Sequence, residues 1–260
     1  MKRFCLFCLA VLTAGSLAAA ELRIADATKS GDAPIRQLAL KTAFADPSVQ
    51  VSYKRWSVKD ALAALAAGKT DLVAVDVPAI PKKFEGARKV YAVRALVFYV
   101  NSANTLEAAT RGQLRDIFSE AAPTWGIYSF LTSKIKRFGV KPGKPGAEMM
   151  AEFLAPAKLT DQVELLNATN GVVLMTEAEA SAIGFGLYLS SAPVRVRMLA
   201  VDGVAPTLKS VASAAYPLAV KRAVLTAKTS GGAVAKFLKA MDGADFRDLV
   251  EDAEMLPVDR

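Results

Sequence analysis

From Glu21 onward, short apolar runs alternate with Ala- and Leu-rich stretches of helical spacing, and no internal repeat or low-complexity tract interrupts them. That alternation predicts an α/β fold with helices on both faces of a sheet, because each apolar strand needs cover on both sides. Leu22 to Ala27 reads as a first strand, Ala33 to Ala45 as a helix, and Val49 to Trp56 as a second strand with Val49, Val51 and Tyr53 alternating. A helix from Val58 to Ala67 follows, with Ala61, Leu62 and Leu65 on one face and Gly68 as its stop. Asp71 to Val75 then reads as a buried strand that ends in Asp76, before a turn at Pro78 and Pro81.

Val90 to Val100 is the longest apolar strand candidate, and Thr110 to Phe118 a short helix opened by a Thr110–Gln113 capping box. Ile135 to Val140 reads as a strand feeding the loop Lys141-Pro142-Gly143-Lys144-Pro145-Gly146, and Ala147 to Leu154 as a helix with Met149, Met150 and Phe153 on its core side. Ile183 to Leu189, Val194 to Ala200 and Leu218 to Thr226 are further strands, and Gly232 to Met241 and Phe246 to Glu251 are closing helices.

The N-terminal segment has a different character. Met1 to Ala20 carries Lys2 and Arg3, an apolar run from Phe4 to Leu12 and a closing Ala18-Ala19-Ala20, the pattern of a secretory signal cleaved after Ala20. The apolar run falls short of the roughly 20 residues of a membrane span, so an exported, soluble protein without a membrane anchor is expected. The only two cysteines, Cys5 and Cys8, leave with the signal, which removes disulfide and thiol chemistry from the mature chain.

The complete absence of histidine excludes Ser-His-Asp triads, Cys-His dyads and histidine metal sites. No carboxylate pair or Ser-Lys pair stands at a catalytic spacing, so no enzyme activity, catalytic residue, metal or cofactor is expected. Loss of Lys2 and Arg3 lowers the formal charge from +8 to +6, which favours anionic partners. The basic residues are dispersed rather than massed on one face, which speaks against nucleic acid and leaves either the steering of a small anion or a merely solubilising surface.

Three polar stretches fall where strands end and helices begin: Asp26-Ala27-Thr28-Lys29-Ser30, Arg55-Trp56-Ser57 and the Lys141–Gly146 loop. Ligands of open α/β sheets bind beyond the carboxyl ends of strands, and helix N-termini present free N–H groups to anions. Thr28, Lys29, Arg55, Ser57, Lys141, Lys144 and Gly146 are therefore candidate anion ligands. Asp76 adds an acceptor that favours an anion still carrying a proton: phosphate has one at neutral pH and sulfate has none. Each residue also has a plainer reading, with Ser57 as a helix cap, Asp76 as a turn former and the Lys-Pro-Gly repeat as a solvated connection.

Taken in order, several segments resemble the periplasmic phosphate-binding proteins of ABC importers. They are Gly68 to Asp76, Gln113-Leu114-Arg115-Asp116-Ile117-Phe118 with Trp125, Ala182-Ile183-Gly184-Phe185-Gly186, and Asp202-Gly203-Val204-Ala205-Pro206-Thr207 followed by Ala215-Tyr216-Pro217-Leu218. The resemblance implies a type II two-lobed fold, each lobe a mixed sheet flanked by helices, with two hinge crossovers. Residues 21–98 plus 216–260 would form lobe one and 99–215 lobe two, with hinges near Phe98 and Tyr216. It also implies a monomer that takes a small oxyanion, phosphate first, and hands it to an inner-membrane permease.

Departures fall at the ligand site. Where the family places an Arg followed four residues on by Ser-Gly-Thr, this chain has Lys141, then Pro145, Gly146 and Ala147. Two hydroxyl donors and one backbone N–H are gone, and lysine lacks the planar grip of arginine. Losing two or three hydrogen bonds to an anion at about 1.5–3 kcal/mol each weakens binding by powers of ten unless Arg55, Lys29 or Lys144 replaces them. The alternative that follows is a two-lobed sensor or protein-interaction module that no longer binds phosphate.

Overall fold

The computed structural model describes residues 20–129, 132–190, 193–228 and 231–258. The signal segment lies outside the described residues except for Ala20. In chain order the elements are β1 (Ala20–Asp26), α1 (Ala33–Ala45), β2 (Val49–Arg55), α2 (Val58–Ala66), β3 (Leu72–Asp76), β4 (Ala87–Asn101), β5 (Ala108–Ala109) and α3 (Arg111–Phe118). Next come β6 (Lys136–Val140), α4 (Ala147–Leu154), β7 (Val163–Leu166), α5 (Thr169–Ala178), β8 (Ala182–Leu187), β9 (Val196–Met198) and β10 (Ala200–Val201). The chain closes with α6 (Leu208–Ser213), β11 (Ala219–Thr226), α7 (Gly232–Ala240), α8 (Ala244–Asp252) and β12 (Leu256–Pro257).

One strand organises the molecule. β4 is 15 residues long, about 50 Å at the usual strand rise, and it changes partner midway. Ala87 to Ala95 pair antiparallel with β11, whereas Leu96 to Val100 pair antiparallel with β8. The sheet therefore runs β2-β1-β3-β11-β4-β8-β6-β7, with β9 and β12 also on β4. Its first half, β2 to β4, and its second, β4 to β7, each have their own helices, and together they form the two lobes. Phe98 lies on β4 past the partner switch, and Tyr216 lies in the turn that leads into β11.

Each lobe has its own core. In the first, strand alternation sends Leu22, Ile24 and Leu72 to one side of the sheet, against Ile35, Phe237, Phe246 and Leu249 of α1, α7 and α8. Ala25, Val73, Val75 and Leu225 face the other side, against Ala61 and Leu65 of α2. The second lobe is built on aromatic rings: Phe98 lies 5.5 Å from Phe118 and 5.4 Å from Phe153, and Phe118 lies 5.4 Å from Phe185. Trp125 is fully buried beside them and donates Nε1–H to the Ser181 carbonyl at 2.8 Å.

Candidate functional site

The site grows out of sheet register. Asp76 ends β3, and Arg222 of β11 stands directly opposite it. Arg222 is also opposite Ala92 of β4, so Arg94, two residues on, shares its face of the sheet. Three strands thus bring one carboxylate and two guanidiniums to the same edge. All three are buried, with Arg222 showing no exposed surface, Arg94 5% and Asp76 6%.

The loop after β1 closes over them. Arg222 donates Nε–H to Asp76 Oδ1 at 3.2 Å, one amino group to Ser30 Oγ at 2.6 Å and the other to the Gly31 carbonyl at 3.0 Å. Arg94 also donates to Ser30 Oγ, and its guanidinium lies 3.6 Å from Asp76 Oδ2. The Lys29 backbone N–H donates to that same oxygen at 3.3 Å. Ser30 Oγ thus accepts two N–H bonds, which use both of its lone pairs and leave its own proton as the remaining hydrogen-bonding capacity.

Buried polar groups behind the loop hold its shape. Asp26 accepts the Thr28 and Asp32 backbone N–H groups at 2.9 Å each, and the Thr28 and Tyr53 hydroxyls at 2.6 Å each. Asp32 caps α1 through the Ile35 N–H, accepts the Tyr91 hydroxyl and lies 3.7 Å from Arg222. Burial raises the Asp32 carboxyl above its ordinary range against the pull of Arg222. Burial likewise lowers the Arg94 guanidinium, with the charge of Arg222 adding to the effect and Asp76 opposing it.

Two cavities flank Arg94. One, of about 370 Å³, is bounded by Lys29, Asp76 and Arg94 at one end and by Met149, Glu152 and Phe153 of α4 across from them. The other, about 250 Å³, is lined by Ser30, Arg94 and Arg222 from the first lobe and by Lys144, Glu148 and Leu187 from the second. Among the described residues Arg94 Nε finds no acceptor and Glu148 Oε2 no donor, and both atoms are sealed from solvent. Such groups cost about 1–3 kcal/mol each while unpaired.

The residues singled out from the sequence divide into three groups. Lys29 and Asp76 line the larger cavity and Lys144 the smaller. Asp76 makes no capping bond to the turn that follows it; its oxygens face Arg222, Arg94 and Lys29. Thr28, Arg55 and Ser57, expected to be ligands, line neither cavity. The Thr28 hydroxyl is bonded to Asp26, Arg55 donates to the Thr28 and Lys29 carbonyls at 3.0 and 2.8 Å, and Ser57 caps α2 by accepting the Asp60 N–H. The third group belongs to the Lys-Pro-Gly loop: Gly146 opens α4 with a positive φ of 91°, and Lys141 is exposed with its backbone N–H on the Leu166 carbonyl. The Trp56 side chain is 40% exposed and lines neither cavity.

Sequence reasoning missed Arg94, Arg222, Ser30, Glu148 and Glu152. For the two arginines a signal was present. Val93-Arg94-Ala95-Leu96 and Lys221-Arg222-Ala223-Val224 each set a guanidinium inside an apolar strand, and a strand buried on both faces admits a charge only beside a partner. Asp76, at the end of a wholly apolar strand, was that partner.

This architecture, two lobes strung on one shared strand with polar groups gathered between them, is the fold of the two-lobed periplasmic binding proteins. No protein-family model and no curated protein matches the chain. Solved structures do. A protein described as a possible phosphate binding protein from Planctomyces limnophilus superposes with a TM-score of 0.78 at 18% identity, covering 93% of this chain and 94% of its own. An ABC-type phosphate transport receptor from Vibrio cholerae gives 0.69 at 16% identity over 91% of this chain and 99% of its own. PstS from Borrelia burgdorferi gives 0.69 at 17% identity, covering 93% and 100%. The resemblance read from the sequence is thus borne out at the level of fold. Among the described residues no helix is long and apolar enough to cross a membrane.

Proposed function

We propose that this chain is an exported solute-binding protein that encloses a small oxyanion, inorganic phosphate in the simplest case, and presents it to an inner-membrane ABC permease. The observation that carries this reading is the convergence of Arg94, Lys29 and Lys144 on two cavities beside the Asp76–Arg222 pair. Cationic side chains from both halves of the sheet thus line the cavities, which suits an anionic ligand. The solved structures of similar fold named above are described as phosphate-binding or phosphate-transport proteins, in keeping with the same reading.

In this proposal Arg94, Ser30 and Lys29 meet the anion from the first lobe. Lys144, ahead of the α4 N-terminus at Gly146, closes on it from the second, and Lys141, which lines neither cavity, contributes only longer-range charge. Thr28, Arg55 and Ser57 hold the loops in place. Asp76 can do two jobs: a carboxylate offers about four lone-pair positions, so it can brace both arginines and still accept a proton from a ligand hydroxyl. Lobe one would comprise residues 21–98 and 216–260, and lobe two 99–215, with no covalent chemistry in the cycle.

Calorimetry of the mature chain, stripped of bound anion, tests the proposal. Phosphate should bind tighter than millimolar, and Arg94→Gln should weaken it at least tenfold. A dissociation constant weaker than millimolar for the parent chain rejects phosphate.

A further inference from the structure

The larger cavity is poorly matched to a bare tetrahedral anion. Its 370 Å³ is the volume of a cleft still open to solvent, so the chemistry of its lining, and not its size, bears on the ligand. Beyond Lys29, Asp76 and Arg94 the wall is apolar except for the Glu152 carboxylate of α4, formed by Leu96 of β4, Met149 and Phe153 of α4, Leu218 just ahead of β11 and Val220 within it. Oxygen atoms turned toward such a wall lose their water and gain no donor. A ligand that is anionic at one end only, with carbon at the other, meets both halves of the cavity.

We infer that the cleft takes an organic oxyanion: an anionic head at Arg94, Lys29 and Asp76, and a short apolar chain laid between Met149 and Phe153 on one side and Leu218 and Val220 on the other. The inference rests on the anion-binding reading above and specifies its ligand class. Phosphonates with a single alkyl group suit the site in particular, since their monoanion keeps an acidic proton for Asp76 while the chain occupies the apolar half.

A chain-length series on the stripped mature protein reads this directly. Inorganic phosphate is compared with methyl-, ethyl-, propyl- and butylphosphonate, and a parallel arm of linear carboxylates separates the requirement for a phosphorus head from the requirement for any anion. Affinity should rise about fourfold per added methylene, the value of a fully buried CH2 group, and Leu218→Ser should flatten that slope. A slope in the carboxylate arm alone supports the same inference and removes phosphate from the proposed function. Phosphate that binds while every added methylene weakens or leaves the affinity unchanged overturns the inference and leaves the proposed function standing. No response to any member of either arm overturns both.

Discussion

Arg222 Nε and Asp76 Oδ1 meet at 3.2 Å across 146 residues of sequence, and the contact follows from their being paired residues of antiparallel strands β11 and β3. The pair ties the end of the chain, where β11 returns to the first lobe, to the loop between β1 and α1 that carries Lys29, Ser30 and Gly31. Arg222 thereby links structure and site, because the guanidinium that neutralises two buried carboxylates also orients the Ser30 hydroxyl that faces the cleft.

Replacing Arg222 by methionine keeps approximate volume and removes the charge. Asp32 and Asp76 then face burial without their principal cation, and breaking a buried pair from one side costs about 3–5 kcal/mol. Urea unfolding of Arg222→Met should show a loss of that order, recovered in part by adding Asp32→Asn. A loss under about 1 kcal/mol contradicts the role given to this cation.

Asp76→Asn addresses selectivity. In the proposed binding mode a free lone pair of Asp76 would accept the proton of a monohydrogen anion, and sulfate has none to offer. The asparagine can turn an N–H toward the ligand, so sulfate should gain on phosphate by about tenfold or more, the worth of one charge-assisted hydrogen bond. Competition calorimetry on folded variant protein reads the ratio, and an unchanged ratio withdraws the proton-reading role.

Most of the fold could be read from the sequence because its strands are runs of apolar residues punctuated by Gly, Pro and caps. The Thr110–Gln113 capping box forms with both of its bonds, and Ser57 caps α2 as its type and place suggest. The segment from Val163 to Ala178 gave no such signal. α5 begins at Thr169, which follows Ala168, a residue with no side chain able to cap, and its mixed Thr-Asn-Gly start reads as loop. Its reason for being helical is tertiary: Val172 and Thr176 lie against Gly184 of β8, where a Cβ would come within 2.4 Å of Val172. The site was legible in part for the same reason. Loop residues such as Lys29 and the strand-end Asp76 announce themselves, while Arg94 and Arg222 depend on which strands become neighbours, and β11 reaches β3 only after the whole second lobe has intervened.

Alkaline pH should expose the buried tyrosines. Burial raises Tyr91, with the Asp32 charge adding to it, and burial likewise raises Tyr99, whose hydroxyl donates to the Leu187 carbonyl at 2.5 Å. In the unfolded chain both ionise near pH 10, while in the native state both keep their protons. Stability from this source is complete below pH 10 and falls above it by up to about 1.4 kcal/mol per pH unit for each tyrosine. Urea midpoints between pH 9 and 11 should turn downward near 10, and Tyr99→Phe should make the fall shallower.

Lys29, in the loop after β1, bonds through Nζ to Glu152 of α4, and both residues line the larger cavity with side chains 61% and 60% exposed. A pair so open to water adds little to folding, so Glu152→Gln should leave the urea midpoint nearly unchanged. Its effect on the ligand is different in kind. In the proposed binding mode Glu152 would compete with an incoming anion for the Lys29 ammonium and would place a negative charge beside it, and both effects would disappear in the glutamine variant. Affinity for phosphate or a short phosphonate should therefore rise by about two- to fivefold at low salt. The gain should shrink toward nothing near 1 M salt, where the Debye length is about 3 Å, and Lys29→Gln should abolish it. Calorimetry at two ionic strengths decides the matter: if Glu152→Gln weakens binding instead, the Lys29–Glu152 contact holds the lobes in the binding posture and is no competitor for the ligand.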